Sequence, residues 1–145
     1  MKAVAQRVSR ASVSVDGRIV GRIDGPGLLV LLGVHRDDGP GEAAKLAEKI
    51  WHLRMLADEQ SCHAAGAPLL VVSQFTLYGD VRKGRRPSWT AAAGRDLSEP
   101  LYEEFVRCLR TLGAAVETGA FGEAMEVSLV NSGPFTLIVD TSDLP

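Results

Sequence analysis

An uninterrupted aliphatic segment that is followed at once by polar side chains most constrains the fold of this chain. Residues 69–72 are all aliphatic, and Ser73, Gln74 and Thr76 follow without an intervening glycine or proline. Four consecutive aliphatic residues are typical of a strand that is buried on both faces. Hydroxyl and amide groups at the end of such a strand must bond to each other, to the backbone or to a ligand. The segment therefore predicts either an ordinary strand end or one wall of a binding site.

A second polar segment lies near the carboxyl end, between two runs of strand-forming residues. Residues 127–130 and 135–139 flank the sequence Asn-Ser-Gly-Pro at 131–134. Proline cannot donate a hydrogen bond to a sheet, so Pro134 indicates an interruption of the strand. Gly133 lets another group approach the backbone closely. A bond before proline in a tight connection is also the usual place for a cis peptide, which makes the Gly133–Pro134 bond a candidate.

Length and composition favour one globular domain over residues 1–145. The hydrophobic content is 46% and the charged content is 23%, which are ordinary values for a protein with a substantial core. No apolar run approaches the roughly 18 residues of a membrane helix, and no secretory signal opens the chain. We therefore expect a cytoplasmic protein without a membrane partner. The three histidines and two cysteines are scattered without zinc-ligand spacing, so neither a metal nor another cofactor is expected.

Alternating apolar residues and turn residues predict strands in the first third of the chain. Residues 2–8, 11–15 and 18–23 are predicted strands, with Asp16-Gly17 as the hairpin turn between the last two. Residues 28–34 form an almost continuous apolar run, which indicates a central strand. This part of the chain predicts a meander of antiparallel strands. Further strands are predicted at residues 69–72, 115–118 and 125–130.

Two segments have the apolar spacing of amphipathic helices. The first begins in the acidic and proline-containing segment 37–42, and the second begins at 98–100 and ends at Gly113. Their apolar positions are Leu46, Ile50, Leu53 and Ala57 in the first helix and Leu101, Phe105, Leu109 and Leu112 in the second. Residues 56–68, rich in alanine and glycine, are predicted to form a loop.

Both polar segments resemble motifs of the D-aminoacyl-tRNA deacylase family. The family's Ser-Gln-Phe-Thr-Leu is present at residues 73–77, and its Asn-x-Gly-Pro-x-Thr is present at residues 131–136. Gln6-Arg7-Val8 and Arg85-Arg86-Pro87-Ser88 are similar to two other segments of the family, in the same order along the chain. The resemblance implies an α+β fold with a barrel-like, mostly antiparallel sheet and two helices.

The same resemblance implies an enzyme that hydrolyses the ester bond of D-aminoacyl-tRNA, and of glycine mischarged on tRNA(Ala). It implies a homodimer whose active sites lie at the subunit interface. Ser73, Gln74, Phe75 and Thr76 correspond to the catalytic segment, where backbone amides can stabilise a developing oxyanion. A covalent role for Thr76 would need an adjacent base, and neither motif contains a histidine or an acid. Family mechanism implies instead that the ribose 2′-hydroxyl of the substrate assists, and that Thr76 positions the substrate.

Selection between D- and L-amino acids is the second implied property. Gly133 and Pro134 match a Gly-cis-Pro dipeptide that the family inserts from one subunit into the pocket of the other, where its carbonyls exclude an L side chain. Such a filter would still admit glycine. Arg7 matches an arginine that holds the dipeptide, and the alternative for it is an exposed strand charge. Asn131 and Thr136 complete the motif and are expected near the substrate.

A basic cluster is the third candidate site. Arg82, Lys83, Arg85 and Arg86 place four of the chain's 16 basic residues within five positions, although the net charge is −2. Such a patch can follow a phosphate backbone, so it is a candidate tRNA-binding surface, and a solvated loop is the alternative. Trp89, where the family more often has phenylalanine, could stack on a base or pack beneath the loop.

Two other functions remain open at this stage. One is that of a sibling subgroup that removes L-alanine from mischarged tRNA, although its first motif usually has Pro-Gln-Ala in place of Ser-Gln-Phe. The other is a non-catalytic tRNA-binding module. The chain also lacks a longer insert with Gly-Lys-Met-Asn that relatives have within the segment 56–68, which affects the shape of that side of the pocket. The preferred D-amino acids, the docking of tRNA and a role for His63 do not follow from the sequence.

Overall fold

The computed structural model describes residues 1–145 and contains one six-stranded mixed sheet. The strands are β1 (Lys2–Val15), β2 (Arg18–Ile23), β3 (Gly27–Gly33), β4 (Leu69–Ser73), β5 (Val116–Thr118) and β6 (Glu126–Asp140). The helices are α1 (Pro40–His52), α2 (Cys62–Ala65) and α3 (Arg95–Thr111), and 3-10 turns occupy Ala57–Glu59, Phe75–Tyr78 and Thr141–Asp143. The predicted α+β class is confirmed. None of the helices is long and apolar enough to cross a membrane.

The order of the strands differs from the predicted meander. The sheet has the order β2-β1-β3-β4-β5, and β6 pairs with the other edge of β1. Strand β1 pairs antiparallel with β2, β3 and β6, whereas β3–β4 and β4–β5 are parallel. The meander prediction is wrong because β3 pairs with β1 and not with β2. At about 3.3 Å per residue, the 14 residues of β1 are long enough to hold β3 and β2 end to end along one edge.

The two ends of this strand order approach each other, so that the sheet nearly closes into a barrel. Gly21 of β2 lies against the backbone carbonyl of Thr118 in β5. A side chain at this position would overlap that carbonyl, so the close approach of the two strands requires glycine. The barrel-like sheet expected from the family resemblance is therefore confirmed.

Strand β1 is continuous, although the sequence predicted separate strands at 2–8 and 11–15. Ser9 and Arg10 are exposed, and the pairing of β1 with β6 shifts register on both sides of Val8. Alternation is lost there because the strand is irregular and not because it ends. The predicted hairpin at Asp16-Gly17 is confirmed, since both residues have positive φ (50° and 77°).

Strand β4 is buried on both of its faces, as its aliphatic sequence predicts. Leu69 and Val71 belong to the larger apolar core, which α1 and α3 cover, and Leu70 and Val72 belong to a second core inside the curved sheet. Trp51 of α1 is also buried in the larger core. Burial of each large apolar side chain contributes about 1.5–3 kcal/mol, so this strand is fixed from two sides. The position of the polar residues that follow it is fixed as a result.

Two helix predictions need correction. Residues 56–68 are not a simple loop, because Ser61 accepts a hydrogen bond from the Ala64 amide (3.0 Å) and begins the short helix α2, which ends at Gly66 in the left-handed region (φ 62°). Helix α3 begins at Arg95 and not at 98–100, because the Gly94 carbonyl already accepts hydrogen bonds from the amides of residues 97 and 98. Pro100 therefore lies inside the helix and not at its start.

Strand β6 continues through the predicted interruption, but it leaves the sheet there. Gln6 of β1 is opposite Thr136, whereas Val8, two residues later, is opposite Asn131. Two steps along β1 thus correspond to five steps along β6. Residues 132–135, which lie opposite Arg7 alone, form an outward excursion, and the Gly133–Pro134 bond within it is cis, as the sequence suggested.

Candidate active site

The polar segment after β4 forms a tight corner. Ser73 ends the strand, and the Gln74 amide donates a hydrogen bond to the Leu32 carbonyl of β3 (2.7 Å). The Leu77 amide then donates to the Gln74 carbonyl (3.2 Å), which closes the first ring of the 3-10 turn. The amides of residues 75 and 76 precede this bond, so neither has a partner within the turn. The corner therefore presents two backbone donors beside the end of a rigid strand.

The side chains of Gln74 and Thr76 bond to each other. Gln74 Nε2 donates to Thr76 Oγ1 at 2.6 Å, and Thr76 is exposed. This is the hydrogen bond that the Thr76 hydroxyl makes, and an amide NH₂ group is a donor that cannot accept the hydroxyl proton. The threonine is held in place but not activated as a nucleophile.

A cavity of about 280 Å³ opens beside this corner. Three of the predicted catalytic residues, Ser73, Gln74 and Phe75, lie in its wall, and Thr76 does not. Most of the wall is apolar. The other lining residues are Leu32, Val34, Val72, Ser98, Tyr102, Phe121, Gly122, Glu123, Met125 and Val127. The cavity can therefore hold an uncharged group next to the polar corner.

Helix α3 supplies one wall of the cavity through Tyr102. The Tyr102 hydroxyl donates to the Val71 carbonyl (2.7 Å), and its ring packs against Phe121 with the centroids 5.7 Å apart. Burial raises the pKa of Tyr102 to about 12, so the hydroxyl stays protonated and keeps this hydrogen bond at neutral pH. This wall was not predicted from the sequence. The sequence feature that could have indicated this wall is a pair of hydroxyl residues, Ser98 and Tyr102, which are four positions apart on the buried stripe of α3.

The turn that carries Phe121 is covered by Arg95. The guanidinium of Arg95 lies 5.5 Å from the Phe121 ring centroid and is paired with Glu99 (Nε–Oε2 2.7 Å). Gly122 has φ 78°, and a Cβ atom there would be 2.8 Å from Arg95 Nη1. Arg95 therefore sits directly on the turn and holds the Phe121 side of the cavity.

Arg7 and Asn131 hold the excursion of β6. Arg7 donates from Nε to the Ser132 carbonyl (3.0 Å) and from Nη2 to the Gly133 carbonyl (3.4 Å), and its guanidinium lies 4.2 Å from the Phe135 ring centroid. Asn131 Nδ2 donates to the carbonyls of Arg7 (2.9 Å) and Phe135 (3.1 Å). The backbone of the excursion is thus fixed by two side chains at its base.

Gly133 and Pro134 are exposed and do not line the cavity of their own chain. Thr136 is also exposed, and its hydroxyl accepts a hydrogen bond from Gln6 Nε2 (3.2 Å). The structure therefore does not bring the two sequence motifs together within a single chain. It presents the Gly-Pro dipeptide outward on a rigid base.

The predicted basic cluster is exposed, but its charges are not equivalent. Asp80 pairs with Arg82 through both carboxylate oxygens (2.6 Å at the shortest), and this hydrogen bonding lowers the pKa of Asp80 to about 2. The charge of Arg82 is therefore compensated. No salt bridge involves Lys83, Arg85 or Arg86, which leaves three positive charges on the loop.

Comparisons with known proteins agree with the motifs. Residues 4–140 match the family model described as D-Tyr-tRNA(Tyr) deacylase. D-aminoacyl-tRNA deacylase from Thermobifida fusca is 64% identical over 140 residues, covering 97% of this chain and 99% of the relative. The enzyme of the same name from Streptomyces coelicolor is 61% identical with the same coverage.

Two solved structures have the same fold. The c-Myc DNA unwinding element binding protein aligns with a TM-score of 0.91 and 37% identity, covering 97% of this chain and 98% of the other. A probable eukaryotic D-amino acid tRNA deacylase aligns with a TM-score of 0.83 and 19% identity, covering 95% and 97%, and supports the fold alone. With the matched model and these relatives, the chain belongs to the D-Tyr-tRNA(Tyr) deacylase family, as its two motifs predicted.

Proposed function

We propose that this protein hydrolyses the ester bond between a D-amino acid and the terminal ribose of tRNA, releasing the free amino acid and tRNA. The relatives that support this proposal are named D-aminoacyl-tRNA deacylase, and their similarity extends over nearly the full length of the chain. The single observation that carries the proposal is the corner at residues 73–76, where two backbone amides without a partner in the turn lie beside a mostly apolar cavity. Such a site can bind an ester and stabilise the charge that develops on its carbonyl oxygen.

The reaction follows from the groups that this corner offers. Water attacks the ester carbon, and the amides of Phe75 and Thr76 donate hydrogen bonds to the oxyanion that forms. The bond from the carbon to the ribose 3′-oxygen then breaks, and that oxygen takes a proton. Thr76 is hydrogen-bonded only to the Gln74 amide, so the chain offers no base to it. The neighbouring ribose 2′-hydroxyl is the group on the substrate that can relay the proton.

Selection of the D-amino acid is assigned to the excursion of β6. Gly133 and Pro134 project outward from a base held by Arg7, which suits them to enter the cavity of a second copy. We therefore propose a homodimer in which each chain completes the site of the other. Backbone carbonyls fixed in this way would clash with an L side chain at Cα and would leave room for a D side chain. Glycine has no side chain to reject, so glycine mischarged on tRNA(Ala) is expected to be a substrate.

Substrate binding is assigned in part to the loop with three uncompensated charges. Lys83, Arg85 and Arg86 would contact the phosphates of the acceptor end. Because aminoacyl-tRNA is the substrate, a cytoplasmic location belongs to the same proposal.

A deacylation time course distinguishes this function from its alternatives. Purified protein is incubated separately with D-Tyr-tRNA(Tyr), L-Ala-tRNA(Ala) and Gly-tRNA(Ala), and the remaining ester is measured. We expect rapid loss of the first and third substrates. Rapid loss of L-Ala-tRNA(Ala) alone would identify the L-alanine-specific activity. Binding of tRNA without hydrolysis of any ester would identify a non-catalytic module.

A further inference from the structure

Two aromatic side chains are exposed at the edge of the candidate active site. Phe75 and Trp89 have 56% and 43% of their surfaces exposed. Their rings are in edge contact, with the centroids 5.2 Å apart and an interplanar angle of 64°. Phe75 also lines the cavity. The pair therefore extends the apolar wall of the cavity outward onto the surface.

Trp89 is held in this exposed position by the structure around it. A Cβ atom at Gly79 would be 2.8 Å from the Trp89 ring, so the indole lies directly on the backbone of this glycine. The amides of Asp80 and Ser88 each donate to the other's carbonyl at 2.8 Å and close the loop between them. On the far side, Arg36 Nη1 donates to the Thr90 carbonyl (3.3 Å). The aromatic surface is thus presented by an anchored loop and not by a free one.

The charges on the loop that carries Trp89 indicate what this surface binds. Lys83, Arg85 and Arg86 lie on the same loop, and Asp80 compensates only Arg82. An exposed aromatic face on a loop with three positive charges suits an unpaired nucleotide, because the base can stack on the ring while its phosphates are attracted to the cations. A purely apolar partner would gain nothing from the three charges.

We propose that Trp89, supported by Phe75, is a stacking site for the base of an unpaired nucleotide that precedes the terminal adenosine of the acceptor end. This rests on the proposed function, since that function brings the end of a tRNA to the cavity. The stack acts on binding of the nucleic acid and not on the ester. Trp89 is therefore a specificity-determining residue for substrates that have nucleotides beyond the terminal adenosine.

The first test compares two substrates and three variants. D-tyrosyl-tRNA has the preceding nucleotides, and D-tyrosyl-adenosine lacks them. For Trp89→Ala, the decrease in kcat/KM on the tRNA should exceed the decrease on the adenosine by about tenfold, mainly through KM, as expected for the removal of one base stack. Trp89→Phe should retain most of the kcat/KM on the tRNA because it keeps a stacking ring. Trp89→Leu should not, although it restores apolar packing against Phe75.

A purely structural role for Trp89 predicts other results. Equal decreases on the two substrates, or rescue by Trp89→Leu, would overturn the proposal. Val81, 68% exposed on the same loop, provides the matched control, since Val81→Ala removes apolar surface without removing a ring. For this variant, the ratio of kcat/KM on the tRNA to kcat/KM on the adenosine should be the same as for the wild-type protein.

A second test does not depend on catalysis. Trp51 is buried and Trp89 is half-exposed, so the trinucleotide CCA should quench the fluorescence of the protein, and should not quench that of Trp89→Phe. Equal quenching of both proteins would contradict stacking on Trp89. Emission that changes with protein concentration in the absence of RNA would assign this face to a second copy of the chain. Failure of the proposed function is distinguishable, because it would abolish hydrolysis of both substrates while leaving the quenching by CCA.

Discussion

The hydrogen bond between the Gln74 side chain and Thr76 bears directly on the proposed mechanism. The side-chain amide of Gln74 donates a hydrogen bond to the Thr76 hydroxyl at 2.6 Å, which orients the oxygen but supplies no base for its proton. A threonine that attacked the ester would need a base in this position. The arrangement suits a residue that positions the substrate.

Thr76→Ala should therefore lower kcat/KM by about tenfold or less, the effect of removing one positioning hydrogen bond of roughly 0.5–1.5 kcal/mol. Removal of a true nucleophile would instead cost on the order of 10⁶ in kcat. Steady-state kinetics on D-Tyr-tRNA(Tyr) separate these magnitudes. Thr111→Ala, at the exposed end of α3, is the matched control and should be unchanged. Detection of an aminoacyl-Thr76 adduct by mass spectrometry would overturn the positioning role.

Among the candidate site residues, those that the sequence pattern alone marks are adjacent in the sequence. Ser73–Gln74 and Gly133–Pro134 stand out because polar or ring-constrained residues interrupt strand-forming runs. The contact of Tyr102 with Phe121 joins a helix to a distant turn, and no local pattern marks it. The pairing of Asp80 with Arg82 was also missed, although it lowers the charge that the basic cluster offers.

At the level of secondary structure elements, the packing of α3 against the turn at Phe121 shapes the cavity. Arg95 joins the two, because it pairs with Glu99 on its own helix and covers the Phe121 ring of the turn. Helix α3 could be predicted from its apolar stripe, but its first turn could not, because Pro100 suggested a later start. That missing turn contains the residue that holds the cavity wall.

Arg95→Ala should raise KM for D-aminoacyl-tRNA about two- to fivefold with a smaller effect on kcat. The reason is that a cation–π contact at an exposed site contributes about 0.5–1 kcal/mol, and its removal loosens a wall that binds but does not react. Kinetics over a range of substrate concentrations measure this split. The control is Arg107→Ala, which should leave KM unchanged, because Arg107 pairs with Glu104 on the same helix and lies outside the cavity. A fall in kcat at constant KM would contradict a positioning role for Arg95.

The basic loop gives a prediction in which paired and unpaired charges differ. The plot of log K for tRNA binding against log[salt] has a negative slope. Replacing Arg85 and Arg86 with glutamine should make this slope less steep, by about 0.7–0.9 for each phosphate that the variant no longer neutralises. The double variant Asp80→Asn/Arg82→Gln keeps the net charge of the loop and should leave the slope unchanged. Filter binding at several salt concentrations provides the measurement. Identical slopes for all three proteins would show that the loop is merely solvated.

The sheet could be predicted in class but not in connectivity. Apolar alternation identified its strands, but it carries no information on which strands pair. The 14 residues of β1 hold two partners end to end on one edge, so β3 lies beside β1 and the predicted meander fails. Closure of the barrel depends on Gly21 meeting Thr118, a contact between residues that lie far apart in the sequence.

For the whole molecule, the open edge of β6 bears on the proposed homodimer. This strand pairs with β1 alone, so its other edge is open. Val130, Leu137 and Ile138 are 40%, 39% and 73% exposed along it. An open edge with apolar side chains is usually protected by a partner. Together with the outward Gly133–Pro134 dipeptide, it supports the proposed homodimer.

Sedimentation velocity at micromolar concentration should therefore show a dimer. The Ile138→Lys variant should be mostly monomeric and should lose hydrolysis of D-aminoacyl-tRNA. A charge on this strand would have to be buried in the interface, which is costly without a partner. Ile19→Lys, at an exposed apolar residue of β2, is the control and should remain dimeric. If the wild-type protein were monomeric and fully active, the proposal that each chain completes the site of the other would be wrong.

Discrimination by the chirality of the amino acid distinguishes the proposed enzyme from a general esterase of charged tRNA. The decisive quantity is the ratio of kcat/KM for D-Tyr-tRNA(Tyr) and L-Tyr-tRNA(Tyr), prepared on the same tRNA so that every contact outside the amino acid is equal. We expect rapid hydrolysis of the D-ester, and hydrolysis of the L-ester only at the rate seen without protein. Equal rates for the two esters, or faster hydrolysis of the L-ester, would contradict the proposed function.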